Sequence, residues 1–179
     1  MIEQEEALRC SSAWTKERIS YRSYVRHELI GDVYVIVEIG VHYGFSLFAM
    51  AMDFPEAAVF GIDNFSIEDG GDEPRKHLEK HLPNFDNVRL IEADSQQAAL
   101  DWKSSIAFLD IDILHIDGDH SYAQVARDFE SWVPHVRPGG VVLFHDVQSY
   151  PNGPGKFHYE LEGVKKVEGN LGVWYKLDA

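Results

Sequence analysis

Five short apolar runs rich in β-branched residues recur along this chain, at residues 33–39, 57–62, 88–92, 113–116 and 141–144. Runs that are apolar along nearly their whole length suit strands covered on both faces, as in a parallel sheet. Parallel neighbours need a crossover long enough for a helix, and the spacing between runs leaves room for one. The alternation predicts an α/β fold: an open, mostly parallel sheet with helices on both faces. The end of the chain differs. Residues 163–167 and 172–177 flank Glu168-Gly-Asn170-Leu, a hairpin signal, so the last two of seven strands should form an antiparallel terminal hairpin.

Helices are expected over residues 47–53 and 96–101, and over 73–81, where Asp72 is a plausible N-cap and Pro74 falls in the first turn. Ser121-Tyr-Ala-Gln124 has the form of a capping box. Behind it, Tyr122, Val125, Ala126, Phe129, Trp132, Val133 and Val136 keep the spacing of a core-facing helix, which Pro138-Gly-Gly140 should end. The first thirty residues stand outside this rhythm. Trp14, Tyr21, Val25 and Leu29 are spaced for an amphipathic helix on the sheet or over its crevice. The chain thus divides into an N-terminal helical segment, 1–32, and a domain, 33–179.

A chain of 179 residues suffices for one sizeable core, burying roughly 70% of its unfolded surface. Its formal net charge of −14 repels phosphate backbones and anionic lipid, which argues against nucleic-acid and membrane partners. Cys10 is the only cysteine, so an internal disulfide and a zinc–thiolate cluster are excluded. The acidic N-terminus lacks the order of a signal peptide, and no apolar run reaches the length of a membrane span, which makes the cytoplasm the expected location. Oligomeric state is not legible, and a homo-oligomer stays open.

Chemistry-bearing residues gather where the predicted strands end. The first strand runs into Glu38-Ile-Gly40-Val-His-Tyr-Gly44-Phe-Ser46, glycines that let backbone approach a ligand, with a helix N-terminus behind them. This is not the G-x-G-x-x-G of dinucleotide-binding folds, and Glu38 suits a cationic ligand better than a pyrophosphate. Asp63 ends the second strand, where an acid can accept ribose hydroxyls, and Asp94-Ser95 ends the third, where a polar pair can read an adenine edge. Either acid can equally be a helix cap. The fourth run leads into Asp117-Gly-Asp119-His120 and the fifth into His145-Asp146. Acid–histidine pairs at two adjacent strand ends point to an active crevice, although each residue could instead cap a turn.

The ordered set Glu38-x-Gly40-x-x-x-Gly44-x-Ser46, Gly61-Ile-Asp63 and Glu92-Ala-Asp94-Ser95 resembles the successive motifs of class I S-adenosylmethionine-dependent methyltransferases. His115-Ile-Asp-Gly-Asp-His-Ser-Tyr122 and Arg137-Pro-Gly-Gly-Val-Val-Leu-Phe-His-Asp146 narrow the resemblance to the small-molecule O-methyltransferase-like branch, with the macrolide and sugar O-methyltransferases and the cephalosporin hydroxylase-like proteins. The resemblance implies a Rossmann-like sheet, S-adenosylmethionine as methyl donor and a small-molecule acceptor. It implies cofactor contacts at Glu38, Gly40, His42, Gly44, Ser46, Asp63, Asn64, Asp94, Ser95 and Asp117. In metal-dependent members the matching strand-end positions, here Asp117, His145 and Asp146, hold a divalent cation. Magnesium prefers oxygen ligands, whereas an imidazole suits iron, manganese or zinc better, so His145 leaves the ion's presence and identity open. Asp117, His120 and His145 are the catalytic candidates.

Three other readings compete. Asp117-Gly-Asp119 fits the Asp-x-Asp pair of metal-dependent glycosyltransferases, a cofactor-binding module without turnover would keep the same motifs, and a dehydrogenase would need the absent glycine fingerprint. The acceptor pocket is expected from the N-terminal helix and from residues 64–71 and 148–159, with Tyr150, Phe157 and Tyr159 as aromatic lining or as core.

Overall fold

The computed structural model describes residues 6–8, 21, 32–66 and 72–177. The predicted strands form as β1 (Val35–Ile39), β2 (Ala58–Asp63), β3 (Val88–Glu92), β4 (Ile111–Ile116) and β5 (Val136–Phe144), followed by β6 (Lys165–Glu168) and β7 (Leu171–Tyr175). They make one sheet in the order β3-β2-β1-β4-β5-β7-β6, parallel from β3 to β5, with β7 antiparallel to both β5 and β6. β1 and β4, the centre of the sheet, are buried at every position, which is why their sequences lack polar alternation.

Helices cover both faces. On one, α1 (Phe45–Asp53) and Leu78 of α2 (Asp72–His81) pack over Ile36, Val59, Ile113, Val141 and Leu143. On the other, α3 (Ser95–Asp101), α4 (Tyr122–Trp132) and α5 (Pro154–Glu160) cover Val37, Ile62, Leu114, Val142 and Phe144. Caps start these helices as the sequence suggests: the Ser121 side chain accepts from the Gln124 amide, and Asp94 accepts from Gln97. No helix among the described residues is long and apolar enough to cross a membrane. Of the N-terminal helical segment, Trp14, Val25 and Leu29 lie outside the described residues, whereas Tyr21 is buried with its ring edge-on to His115.

Two boundaries differ from expectation. α4 stops at Trp132 because Pro134 tightens the next turn, Val133–His135, into a 3-10 helix, and Val136 begins β5 instead of extending the helix. Pro138-Gly-Gly140 lies inside β5 and does not precede it. Gly139 adopts φ 73°, and a register shift between Ile111 and Ile113 of β4 absorbs the irregularity. The second difference is α5, which begins in the stretch 148–159, where no helix is expected. Pro154 sits in its first turn, where a missing N–H costs nothing.

At the opposite end of the sheet from the loops that carry the chemistry, Asp112 ties three strands together. Its Oδ2 accepts the backbone N–H of Tyr34 and Val35, each at 2.8 Å, and its Oδ1 meets Arg137 Nε at 2.5 Å. Asp112 is buried, so removing it strands a cation and two amides. Asp112→Ala should destabilise the fold by about 3–5 kcal/mol in urea unfolding. A loss below about 1 kcal/mol would show that water replaces the carboxylate at no cost.

Candidate active site

β1, β2 and β4 end side by side, and the backbone bonds continue past them: Gly40 N–H donates to Ile62 O and Asp117 N–H to Ile39 O, both at 2.9 Å. Gly40 adopts φ 81°, and a Cβ there would lie 2.3 Å from the Asp117 carbonyl oxygen. Only glycine lets the turn after β1 sit directly on the loop after β4. Asp63 holds this turn from the β2 side. Its Oδ2 accepts the N–H of Val41 and of His42 at 2.8 Å each, and its Oδ1 accepts Phe65 N–H at 2.7 Å. His42 is kept at φ 49°, a conformation that residues other than glycine rarely adopt.

Inside the turn, Glu38 projects from β1 opposite His115 of β4, and both are fully buried. Glu38 Oε1 is 2.9 Å from His115 Nδ1 and accepts the Ser46 hydroxyl, while Oε2 has no hydrogen-bond partner among the described residues. Burial pushes the Glu38 carboxyl up, and the bonds from His115 and Ser46 pull it back.

The other cofactor candidates have structural duties as well. Asp94 caps α3, the Ser95 hydroxyl lies 3.0 Å from Trp132 Nε1, and Asn64 Oδ1 accepts Ser66 N–H at 3.2 Å.

The second half of the site lies where β4 and β5 end. His145 Nδ1 is 3.1 Å from Asp117 Oδ1 and 3.5 Å from Asp146 Oδ1. His120 Nε2 is 3.3 Å from Asp146 Oδ2 and 3.9 Å from Asp117 Oδ1. Two carboxylates and two imidazoles from separate loops therefore share one corner. Burial works against charge on His145, but the close carboxylates of Asp117 and Asp146 outweigh it and push its pKa up to about 10. The neighbouring imidazoles of His120 and then His145, at 3.3 and 3.5 Å, hold Asp146 well below the usual carboxylate range.

Ligand atoms of Asp117, His120 and Asp146 converge within 4.8 Å of one another, as do those of Glu38, His115 and Asp117. Asp119 belongs to neither group. Its Oδ1 accepts Ser121 N–H at 2.6 Å, which takes it away from the metal pairing that an Asp-x-Asp reading of Asp117 and Asp119 requires.

Several neighbours of this corner carry no local signature. Tyr150 stacks face to face on His120, with ring centroids 4.0 Å apart and planes within 4°. The Asn170 amide donates to Asp146 Oδ1 from the turn between β6 and β7. Gly153 allows the chain to pass close over His120, whose carbonyl oxygen would lie 1.8 Å from a Cβ there. Of the three aromatics suggested as pocket lining, only Tyr150 reaches the site. Phe157 packs in the core against Phe129 and Phe144, and Tyr159 is 81% exposed.

A family model described as a methyltransferase domain matches residues 37–147, from β1 through Asp146 and one residue beyond. The chain belongs to that methyltransferase family. Its relatives include an uncharacterized protein of Sinorhizobium fredii, 34% identical over 136 residues, which cover 71% of this chain and 14% of that protein. Among solved structures, the MycE methyltransferase of mycinamycin biosynthesis, in complex with Mg and SAH, superposes with a TM-score of 0.60 at 21% identity, covering 88% of this chain and 48% of MycE. An O-methyltransferase from Bacillus cereus in complex with SAH gives a TM-score of 0.65 at 16% identity, over 99% of this chain and 91% of that one. At these identities the structural likeness is one of fold. This chain spans 14% of the length of the Sinorhizobium protein and about half of that of MycE.

Proposed function

We propose that this chain binds S-adenosylmethionine along the ends of β1, β2 and β3 and transfers its methyl group to a hydroxyl of a small molecule at the Asp117–His120–Asp146 corner. The observation that carries this reading is that the glycine turn and the acid–histidine corner are one site, joined by the contact of Gly40 with Asp117. The residues at the cofactor edge fit such a ligand. Glycines at 40 and 44 open the turn, and the buried Glu38 keeps a carboxylate oxygen without a partner among the described residues, which a cationic amine would complete. Asp63 and Asn64 would face the ribose, and Asp94 with Ser95 the adenine.

The donor set at the corner also fits a divalent cation, magnesium or manganese, which Asp117 and Asp146 would hold; the imidazole whose ligand atom converges with theirs is that of His120, and His145 is not in that group. Such a cation, when bound, lowers the pKa of an acceptor hydroxyl. Transfer forms an oxygen–carbon bond, breaks a carbon–sulfur bond and releases the hydroxyl proton. His120 would take that proton: a base for a hydroxyl held between Asp117 and Asp146 must lie beside both, and its Nε2 is 3.9 Å from the first and 3.3 Å from the second. Tyr150 fixes the plane of its ring. The remaining contribution of the chain is alignment, because in-line transfer needs nucleophile, methyl carbon and sulfur held in a row.

The test is calorimetry with S-adenosylhomocysteine, followed by methyl transfer from S-adenosylmethionine to sugar and phenol acceptors with magnesium or manganese. Binding is expected, with turnover on at least one acceptor that falls when EDTA is added. Binding without transfer to any acceptor would make this a cofactor-binding module. Turnover insensitive to EDTA would remove the cation from the reading, and no binding at all would end it.

A further inference from the structure

The most buried polar contact of the site is one that the proposed reaction does not use directly. Glu38 and His115 are both fully buried in the middle of the sheet, and each keeps one polar atom without a hydrogen-bond partner among the described residues, Glu38 Oε2 and His115 Nε2. A buried acceptor left unpaired costs stability, and an apolar pair would pack here at no such cost. Two residues earlier on the same strands and the same face, Ile36 and Ile113 do pack that way. The fold therefore has no need of an acid and an imidazole at this register.

The geometry assigns the unpaired oxygen to a ligand. Glu38 Oε1 is occupied by His115 Nδ1 and the Ser46 hydroxyl, so Oε2 is the acceptor left over. Asp117 adds a second carboxylate, because its ligand atom converges with those of Glu38 and His115 within 4.8 Å. Asp117 already faces His145, so the acceptor in this group that no side chain among the described residues meets is Glu38 Oε2, and a buried carboxylate oxygen without a partner favours a donor that carries positive charge.

We propose that His115 is a positioning residue for the ammonium group of the cofactor's amino acid part: it fixes the Glu38 carboxylate so that Oε2 receives the ammonium. The inference rests on the proposed binding of S-adenosylmethionine. His115 acts through Glu38 and takes no part in the proton transfer. Its contact with His145 is between rings whose centroids are 5.8 Å apart, and no hydrogen bond links the two.

The test compares two ligands on the full chain by calorimetry. S-adenosylhomocysteine carries the ammonium, whereas 5′-methylthioadenosine has the adenosine and sulfur without the amino acid. His115→Leu removes the donor to Glu38, and His115→Asn places an amide N–H near the position of Nδ1. His115→Leu should weaken S-adenosylhomocysteine about 10-fold or more and shift methylthioadenosine less than about 2-fold, while His115→Asn retains most of the selectivity. Ser46→Ala, which removes the second donor to Oε1, should show a smaller loss of the same kind and decides the matter if His115→Leu does not fold. Equal weakening of both ligands, or none, overturns the role of His115 and leaves the cofactor reading standing. A wild-type chain that binds neither ligand overturns both.

Discussion

Asp146→Asn is expected to lower kcat by about 1000-fold while S-adenosylhomocysteine binds as tightly as to the unaltered chain. The substitution suits the backbone, because Asp146 sits at φ 58° and asparagine tolerates this left-handed region better than most residues. It also keeps an oxygen for the Asn170 amide, which now donates to Asp146 Oδ1. What it removes is the negative charge that both imidazoles face, His120 through Oδ2 and His145 through Oδ1. Without that charge a cation loses one of its two acids, and His120 loses the partner that orients it opposite Tyr150. Single-turnover rates at saturating S-adenosylmethionine, set beside calorimetry with the product, separate chemistry from binding. A loss of less than about 10-fold would take Asp146 out of the chemistry and return it to the role of a turn residue.

The strands were legible because burial on both faces leaves its mark in consecutive β-branched residues, and β1 and β4 are buried throughout. Local punctuation misled at β5. Gly139 and Gly140 read as breakers, yet neighbouring chain supplies their ladder bonds: Gly139 N–H donates to Lys176 O and Lys176 N–H to Gly140 O. Tertiary pairing overrode propensity there. α5 is short and begins at Gly153-Pro154, so its composition resembles a loop until Phe157 is seen packing on Phe129 and Phe144.

The site was legible to the extent that chemistry sits at strand ends. The strand order then brings the end of β1 against that of β4, and β4 against β5, which gathers Glu38, Asp117, His145 and Asp146. Less legible was which acids also serve the fold. The cap reading fits Asp94, which caps α3, and Asp119, which braces Ser121, whereas the backbone bonds of Asp63 depend on turn geometry that a sequence does not show. Tyr150 and Asn170 reach the corner from other loops, and their residue types are ordinary in turns. His115 could have been found. A histidine in the apolar run 113–116, in register with the glutamate of the neighbouring strand, is a polar pair that needs a reason.

Asp63 is the residue on which cofactor binding should depend most. Asp63→Ala is expected to raise the Kd for S-adenosylhomocysteine by about 100-fold or more, since three charge-assisted hydrogen bonds to backbone disappear together. Two of them, to Val41 and His42, hold the turn after β1, and His42 at φ 49° relaxes once released. The same bonds do not explain the stability of the sheet. The freed amides of this half-exposed loop can turn to water, so the melting temperature should fall by only about 2–4 °C. Asp63→Asn keeps an acceptor without the charge, and its Kd should rise by about 10-fold, between the two. The contrast matters because a residue that merely supports the fold would lose affinity and thermal stability in proportion. Affinity held within about 3-fold in Asp63→Ala would show that the ligand does not lie along the ends of β1 and β2. The proposed cofactor site would then have to be abandoned, whatever the corner at Asp117 and Asp146 does.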